Sequence, residues 1–194
     1  MCAHDILWRH PWPSGQLHKI AATDGTVCGL ADGTIVAWDA RTGAELWRQP
    51  TFPANRFGEN LVVSDRTVYW TDAYAKLTAR DLATGHLRWQ LDQDRLRRFN
   101  SEPAIQGDTL YVVQSDLELA DPPIGYKIFM AARSTDTGEL RWTVPLDRLL
   151  DFNEILTPLA SGDRAVYFSM WALFGDDDTN GSRRNGEIYV VGPA

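Results

Sequence analysis

Cysteine is scarce in this chain. Cys2 and Cys28 are the only two, and their spacing matches no metal or redox motif, which argues against a cysteine-built metal or redox site. Long apolar runs are missing too. Nothing approaches the roughly 20 residues that a membrane helix needs. The first fifteen residues carry no charged segment followed by an apolar run, and already include Trp8, Pro11, Trp12 and Pro13. That is not the pattern of a secretion signal, so the chain reads as cytoplasmic. Positive charge is in deficit, with 19 Lys and Arg against 26 Asp and Glu and a net charge of -7. Nucleic acid and anionic membrane would both repel such a surface, so neither is expected as a partner. No segment sustains a 3.6-residue apolar period. One helical turn over 94–99 is the most that the pattern supports.

What is abundant is tryptophan, with eight in 194 residues, and three of them end the same phrase. Thr42-Gly43-Ala44-Glu45-Leu46-Trp47 is matched by Thr84-Gly85-His86-Leu87-Arg88-Trp89 and by Thr137-Gly138-Glu139-Leu140-Arg141-Trp142. The glycines are 42 and then 53 residues apart, the spacing of four-stranded propeller blades. Ala37 and Asp39 precede the first phrase, Ala79 and Asp81 the second, Ala132 and Ser134 the third. Each unit reads as strands A to D. Strand B is Thr26-Val27-Cys28, Thr67 to Trp70, Thr109 to Val113 and Ala165 to Phe168, runs dominated by β-branched and aromatic residues after a turn signal. Cys28 takes the place of Tyr69, Tyr111 and Tyr167, which makes it a core thiol. Strand C follows, then the polar turn in which Gly supplies positive φ, then strand D with its Trp.

The two ends of the chain complete this scheme. Leu7-Trp8-Arg9 repeats Leu46-Trp47-Arg48, an orphan strand D, while Gly186-Glu187-Ile188 repeats Gly33-Thr34-Ile35, a final strand C without its D. The expected architecture is all-β: a four-bladed propeller in one domain over 1–194, with four-stranded antiparallel blades. The blades fall at about 16–50, 57–92, 99–145 and 153–192, the last completed by a strand over 5–10. Closure within one chain, as a monomer, carries the smaller entropy cost. A homodimer that shares its orphan strands in an eight-bladed ring fits the same alignment.

The phrase Ala-x-Asp-x-x-Thr-Gly-x-x-x-Trp resembles the repeats of quinoprotein alcohol dehydrogenases and the related PQQ-like propellers. The resemblance covers nearly the whole chain. It implies that Trp47, Trp89 and Trp142 dock each blade onto the next, and that Trp8 does so across the closure. A large flat side chain at a fixed offset from a turn is a packing element in any case, worth about 3–5 kcal/mol if truncated. The dehydrogenases of that family are larger, exported and eight-bladed, with a vicinal cysteine pair. Isolated cysteines in four units imply a member without the quinone. The family also holds cofactor-free proteins such as outer-membrane assembly scaffolds and sensor domains.

In a four-stranded meander the starts of strand A ring one mouth of the central tunnel. There the sequence places His18, Lys19, Glu59, Asn60, Asn100, Ser101, Glu102, Asn153, Glu154 and Thr157. The same face carries the strand B-to-C connections, which are long over 115–126 and 171–186. Asn60, Asn100, Ser101, Asn153 and Thr157, with Phe57, Phe99, Phe152, Trp171 and Phe174, make up a candidate ligand site there. A polar tunnel that merely holds water would show the same composition. His18 beside Glu59, Glu102 or Glu154 would form an acid–base set, suited to cyclisation, isomerisation or elimination on an apolar substrate. His4, His10 and His86 have no partner pattern.

One further motif stands apart. Residues 176–187 match the spacing Asp-x-Asp-x-Asn-Gly-x5-Glu, so Asp176, Asp178, Asn180, the Ser182 carbonyl and Glu187 could surround Ca2+. Arg183 at an ordinarily apolar position, and the lack of flanking helices, equally suit a solvated hairpin loop. The sequence therefore supports a binding module for a small molecule, peptide or protein on the loop-bearing face, with a cofactor-independent acid–base enzyme as the alternative. Fold alone decides neither.

Overall fold

The computed structural model describes residues 5–11, 17–23, 25–31, 33–51, 60–71, 76–92, 97–99, 101–118, 125–150, 154–156, 160–161, 165–172 and 186–192. They form four antiparallel sheets and no helix. The first is β1 (Leu17–Thr23), β2 (Thr26–Ala31), β3 (Thr34–Asp39) and β4 (Glu45–Pro50), in that spatial order. The second repeats it with β5 (Asn60–Ser64), β6 (Thr67–Thr71), β7 (Lys76–Asp81) and β8 (Leu87–Asp92). In the third, strand A is split into β9 (Arg97–Phe99) and β10 (Ala104–Gln106). Both lie on β11 (Thr109–Glu118), followed by β12 (Gly125–Ser134) and β13 (Leu140–Leu150). The fourth splits strand A likewise, with β14 (Glu154–Leu156) and β15 (Ala160–Ser161) on β16 (Val166–Ala172), which also pairs with β17 (Gly186–Val191).

Burial explains the strand compositions. All five residues of β6 are buried, because both faces of an inner strand are covered by neighbouring sheets. Strands β4 and β8 lie at the sheet edge and bury only their tryptophan. Cys28, Ala37 and Trp47 of the first sheet pack on Leu61, Val68 and Trp70 of the second. Tyr69, Ala79 and Trp89 of the second pack on Leu110, Val112 and Ala131 of the third. Val113, Ile128 and Met130 of the third meet Val166 of the fourth. The core is thus three seams between blades of a β-propeller.

The repeated phrase builds the joint at these seams. Asp39 Oδ1 accepts from the Thr42 amide at 2.7 Å and from the Thr42 hydroxyl at 2.7 Å. Asp81 holds Thr84 in the same way, at 3.0 and 2.9 Å. Ser134 Oγ is the weaker third version, accepting from the Thr137 amide at 3.4 Å. Each turn then presents its glycine to the tryptophan of the preceding unit. A Cβ on Gly85 would lie 2.8 Å from the Trp47 ring, and one on Gly138 would lie 2.9 Å from Trp89. The indoles donate to Leu82 O and Thr135 O, both at 2.8 Å. Trp8 does the same to the first sheet, with Gly43 at 2.8 Å and Ala40 O at 2.8 Å, as the repeat implies.

Several details differ from the sequence-based expectation. Residues 97–99 are a strand, not part of a helical turn, because Phe99 is buried between sheets and fixes their pairing with 114–116. Within the segment 115–126, residues 115–118 and 125–126 are strand and not loop: β11 and β12 extend the ladder as far as Glu118 and Gly125. Strand A of the third and fourth sheets begins earlier than expected, at Arg97 and Glu154. Residues 5–11 lie in no strand, and no ladder to 187–191 is present among the described residues. What this segment supplies is the side chain of Trp8, and His10 beside Trp38 at 5.5 Å. Trp142 stands next to Tyr111 of its own sheet at 5.9 Å and is 40% exposed, against 8% for Trp47 and 9% for Trp89. No acceptor for its indole is found among the described residues.

Candidate functional site

The loop-bearing mouth is organised by one long-range ion pair. Lys19 of β1 donates to Glu102 Oε2 at 2.9 Å, joining residues 83 positions apart. Sheet 2 lies between their sheets in the row, so the pair spans the inner edge of the molecule. Glu102 sits in the break between β9 and β10. That break is held by its neighbour: the buried Ser101 hydroxyl accepts from the Val113 amide at 2.9 Å. Below it, Arg133 donates to Gly138 O at 3.0 Å and to Gln114 Oε1 at 3.2 Å, with its guanidinium 6.0 Å from the Phe99 ring centroid. Burial lowers the Arg133 pKa from its ordinary value.

These contacts assign the described members of the expected site. Lys19 and Glu102 meet in an ion pair at 2.9 Å. Ser101 and Phe99 are buried and serve the framework, Phe99 inside the seam between the second and third sheets. For five others only the backbone position is described. His18 is the residue passed over where the β1–β2 register shifts, and Asn60 opens β5 opposite Thr71. Glu154 lies opposite Ala172, and Trp171 opposite Ile155. Glu187 of the calcium motif pairs with Met170 in β17. Phe57, Glu59, Asn100, Phe152, Asn153, Thr157, Phe174, Asp176, Asp178, Asn180 and Ser182 lie outside the described residues. Among the described residues no cluster of His, Cys, Asp or Glu could hold a metal.

The sequence reading missed a second concavity, on the opposite face where the turns lie. Ser64, Arg66, Tyr69, Arg88, Thr135 and Asp136 are among the residues around a cleft of about 180 Å³ between the second and third sheets. Asp65 stands at its rim with φ 48°. Arg88 reaches Asp81 at 3.1 Å, and the Tyr69 hydroxyl donates to Thr135 O at 3.3 Å. Burial raises the Tyr69 pKa, so the phenol stays protonated and donates. Burial also pushes the Asp81 carboxyl up, but hydrogen bonds from Thr84 and Arg88 outweigh it and bring the pKa down to about 2. The cleft joins two repeat turns. Its signal in the sequence was Arg88, which precedes the second repeat Trp; the equivalent Arg141 instead pairs with Asp108 at 2.7 Å.

Cys28 is fully buried in the first seam, and its thiol is pushed up to about 12 by that burial. The mouth at the level of Glu102 is bridged by Lys19.

Among curated proteins, none matches the chain in sequence. Solved structures do share the fold. The computationally designed Ika4 protein is 16% identical with a TM-score of 0.65, the match covering 98% of this chain and 100% of that one. The quinohemoprotein alcohol dehydrogenase from Comamonas testosteroni is 15% identical with a TM-score of 0.61, over 80% of this chain and 29% of that one. A europium-containing methanol dehydrogenase is 16% identical with a TM-score of 0.53, over 73% of this chain. The chain spans only 29% of the length of each of these dehydrogenases. In sequence, residues 4–169 match the PQQ_2 model described as outer membrane protein assembly factor BamB. The docked tryptophans, the glycine seats and this match together show that the chain belongs to the PQQ-like propeller repeat family of that model.

Proposed function

We propose that the chain is a non-catalytic binding module that holds a protein or peptide on its loop-bearing face. The observation that carries this reading is the length of the third sheet. Strands β11, β12 and β13 run 10, 10 and 11 residues, against 5 or 6 in β2 to β8. The additional residues lie at the end where strands B and C join, so the ladder of this sheet runs roughly 15 Å past that of the second sheet at about 3.3 Å per residue. A raised wall beside the Lys19–Glu102 bridge offers an extended surface for a polypeptide. A small apolar ligand would need an aromatic-lined hollow, and Phe99, whose side chain is described, is consumed by the core. The family's description as an assembly factor agrees with a partner-holding role. Of the residues suggested for acid–base chemistry, Glu102 is the one with a described side chain, and it is bound to Lys19.

The test is a variant in which 117–126 is replaced by a two-residue turn. Its thermal unfolding should stay close to that of the parent chain, since the three seams are untouched. Affinity chromatography from cells of the source organism should recover a protein partner with the parent chain and lose it with the variant. Equal recovery by both would overturn the reading, as would turnover of a small substrate that Glu102→Gln abolishes.

A further inference from the structure

The cleft between the second and third sheets differs in chemistry from the same place in the first seam, although the repeat supplies equivalent positions to both. In the first seam these positions are Gly25, Cys28 and Leu46 of one sheet and Leu82 and Ala83 of the next, all small or apolar. Leu82 is buried there against Cys28 and Trp47. In the second seam the five positions carry Arg66, Tyr69, Arg88, Thr135 and Asp136. Polar and charged groups thus replace an apolar plug, and they surround a cleft of about 180 Å³.

The third sheet shows how a carboxylate answers an arginine at this place. Asp108 stands at the Arg66 position and clasps Arg141 with both oxygens, Nη1 to Oδ1 at 2.8 Å and Nη2 to Oδ2 at 2.7 Å. In the second sheet that position holds a second cation. Arg88 turns to Asp81 through Nη2, at 3.1 Å, and no acceptor for its Nε or Nη1 is found among the described residues. Nor is one found there for the Arg66 guanidinium. Two planar guanidiniums on one wall offer the fork of donors that matches a carboxylate. Asp136 belongs to the opposite wall, and no donor to its carboxylate is found among the described residues. Tyr69 lies between the two walls: burial raises its pKa most, Arg88 lowers it and Asp136 raises it, so both charges act on the phenol.

We propose that this cleft binds a free α-amino acid, its carboxylate held by Arg66 and Arg88 and its ammonium group by Asp136. The charge pattern selects the class. A simple anion would gain the arginines but face Asp136, Asp65 and Asp81, and a simple amine would meet the arginines. A zwitterion whose charges sit on neighbouring atoms answers both walls. Size limits the side chain. The cleft is smaller than the roughly 300–1,000 Å³ of sites for drug-sized ligands, which suits glycine, alanine, serine or threonine. Gly107 borders its open side, where a Cβ would meet nothing within 4 Å. The site is on the turn face, so its occupancy is independent of what the loop-bearing face holds.

The test is a titration of the isotope-labelled chain followed by amide NMR spectra. Glycine, L-alanine, L-serine and L-threonine are the probes, with propionate and propylamine as controls that carry one charge each. At least one amino acid should give saturable shifts at the amides of Arg66, Gly107 and Asp136. Both controls should bind at least about tenfold more weakly, since each forfeits a charged hydrogen-bonded contact. Arg66→Asp places a carboxylate on Arg88, as Asp108 does on Arg141, and should abolish saturation while the rest of the spectrum stays in place. Asp136→Asn should weaken amino-acid binding about tenfold and leave propionate binding undiminished. The proposal is overturned if none of the amino acids gives a saturable shift, or if propionate binds as tightly as they do. Unchanged amino-acid affinity in either variant overturns it as well.

Discussion

Gly43, Gly85 and Gly138 hold φ between 72° and 74°, and each faces a tryptophan at a distance no Cβ could share. Two requirements, positive φ and close approach, converge on one residue type. The carboxylate that shapes the turn is an equally local device. Asp81 has its pKa lowered from 3.8 to about 2 in the folded chain, so its charged form stabilises the fold. That contribution is fully present above 3.8 and is lost as pH falls through about 2. Asp81→Asn should therefore lower the urea midpoint at neutral pH, and the two curves should converge near pH 2. A gap that persists there would mean that charge has no part in the turn. Cys28 makes a simpler case. With its thiol pushed up to about 12 by burial, a Cys2→Ser chain should resist a thiol reagent at pH 8 while folded and react at once in urea.

At the level of elements, the bridge between β1 and the β9–β10 break ties two sheets that do not adjoin in the row. Glu102 is the more buried partner, at 16% side-chain exposure against 34% for Lys19. Lys19→Met should cost about 1 kcal/mol in urea unfolding, and adding Glu102→Gln should recover part of it, because a mostly buried carboxylate no longer lacks its partner. Equal or greater loss in the double variant would show that the pair is not the reason for the cost. These elements also show what the amino-acid pattern could reveal. Strands B, C and D were legible because β-branched runs, a Thr-Gly turn and a Trp recur at fixed offsets. The extension of β11 was not. Ser115, Asp116 and Glu118 look like loop residues, and only the pairing with β9 and β12 makes them strand. Arg97-Arg98-Phe99 looked helical for the same reason, since three residues carry no period of their own. At the mouth, the convergence of Lys19 and Glu102 was legible from strand alignment. The burial of Ser101 and Phe99 was not, because the break in strand A turns them inward.

For the whole molecule, order comes from a joint used again and again: the tryptophan of one sheet, the glycine of the next, and the carbonyl that accepts the indole N–H. Neighbouring sheets share few strand-to-strand hydrogen bonds, so their relative placement depends on these joints and on the apolar seams around them. The most direct measurement is a double-mutant cycle on Trp47 and Gly85, read by urea unfolding. Alone, Gly85→Ala introduces both the strain of φ 72° and a methyl group 2.8 Å from the indole, for a total of roughly 2–4 kcal/mol. In a Trp47→Ala background the methyl meets open space and only the strain of about 1 kcal/mol remains. The account predicts a coupling of about 1–3 kcal/mol between the two sites. Costs that simply add, to within about 0.5 kcal/mol, would contradict it.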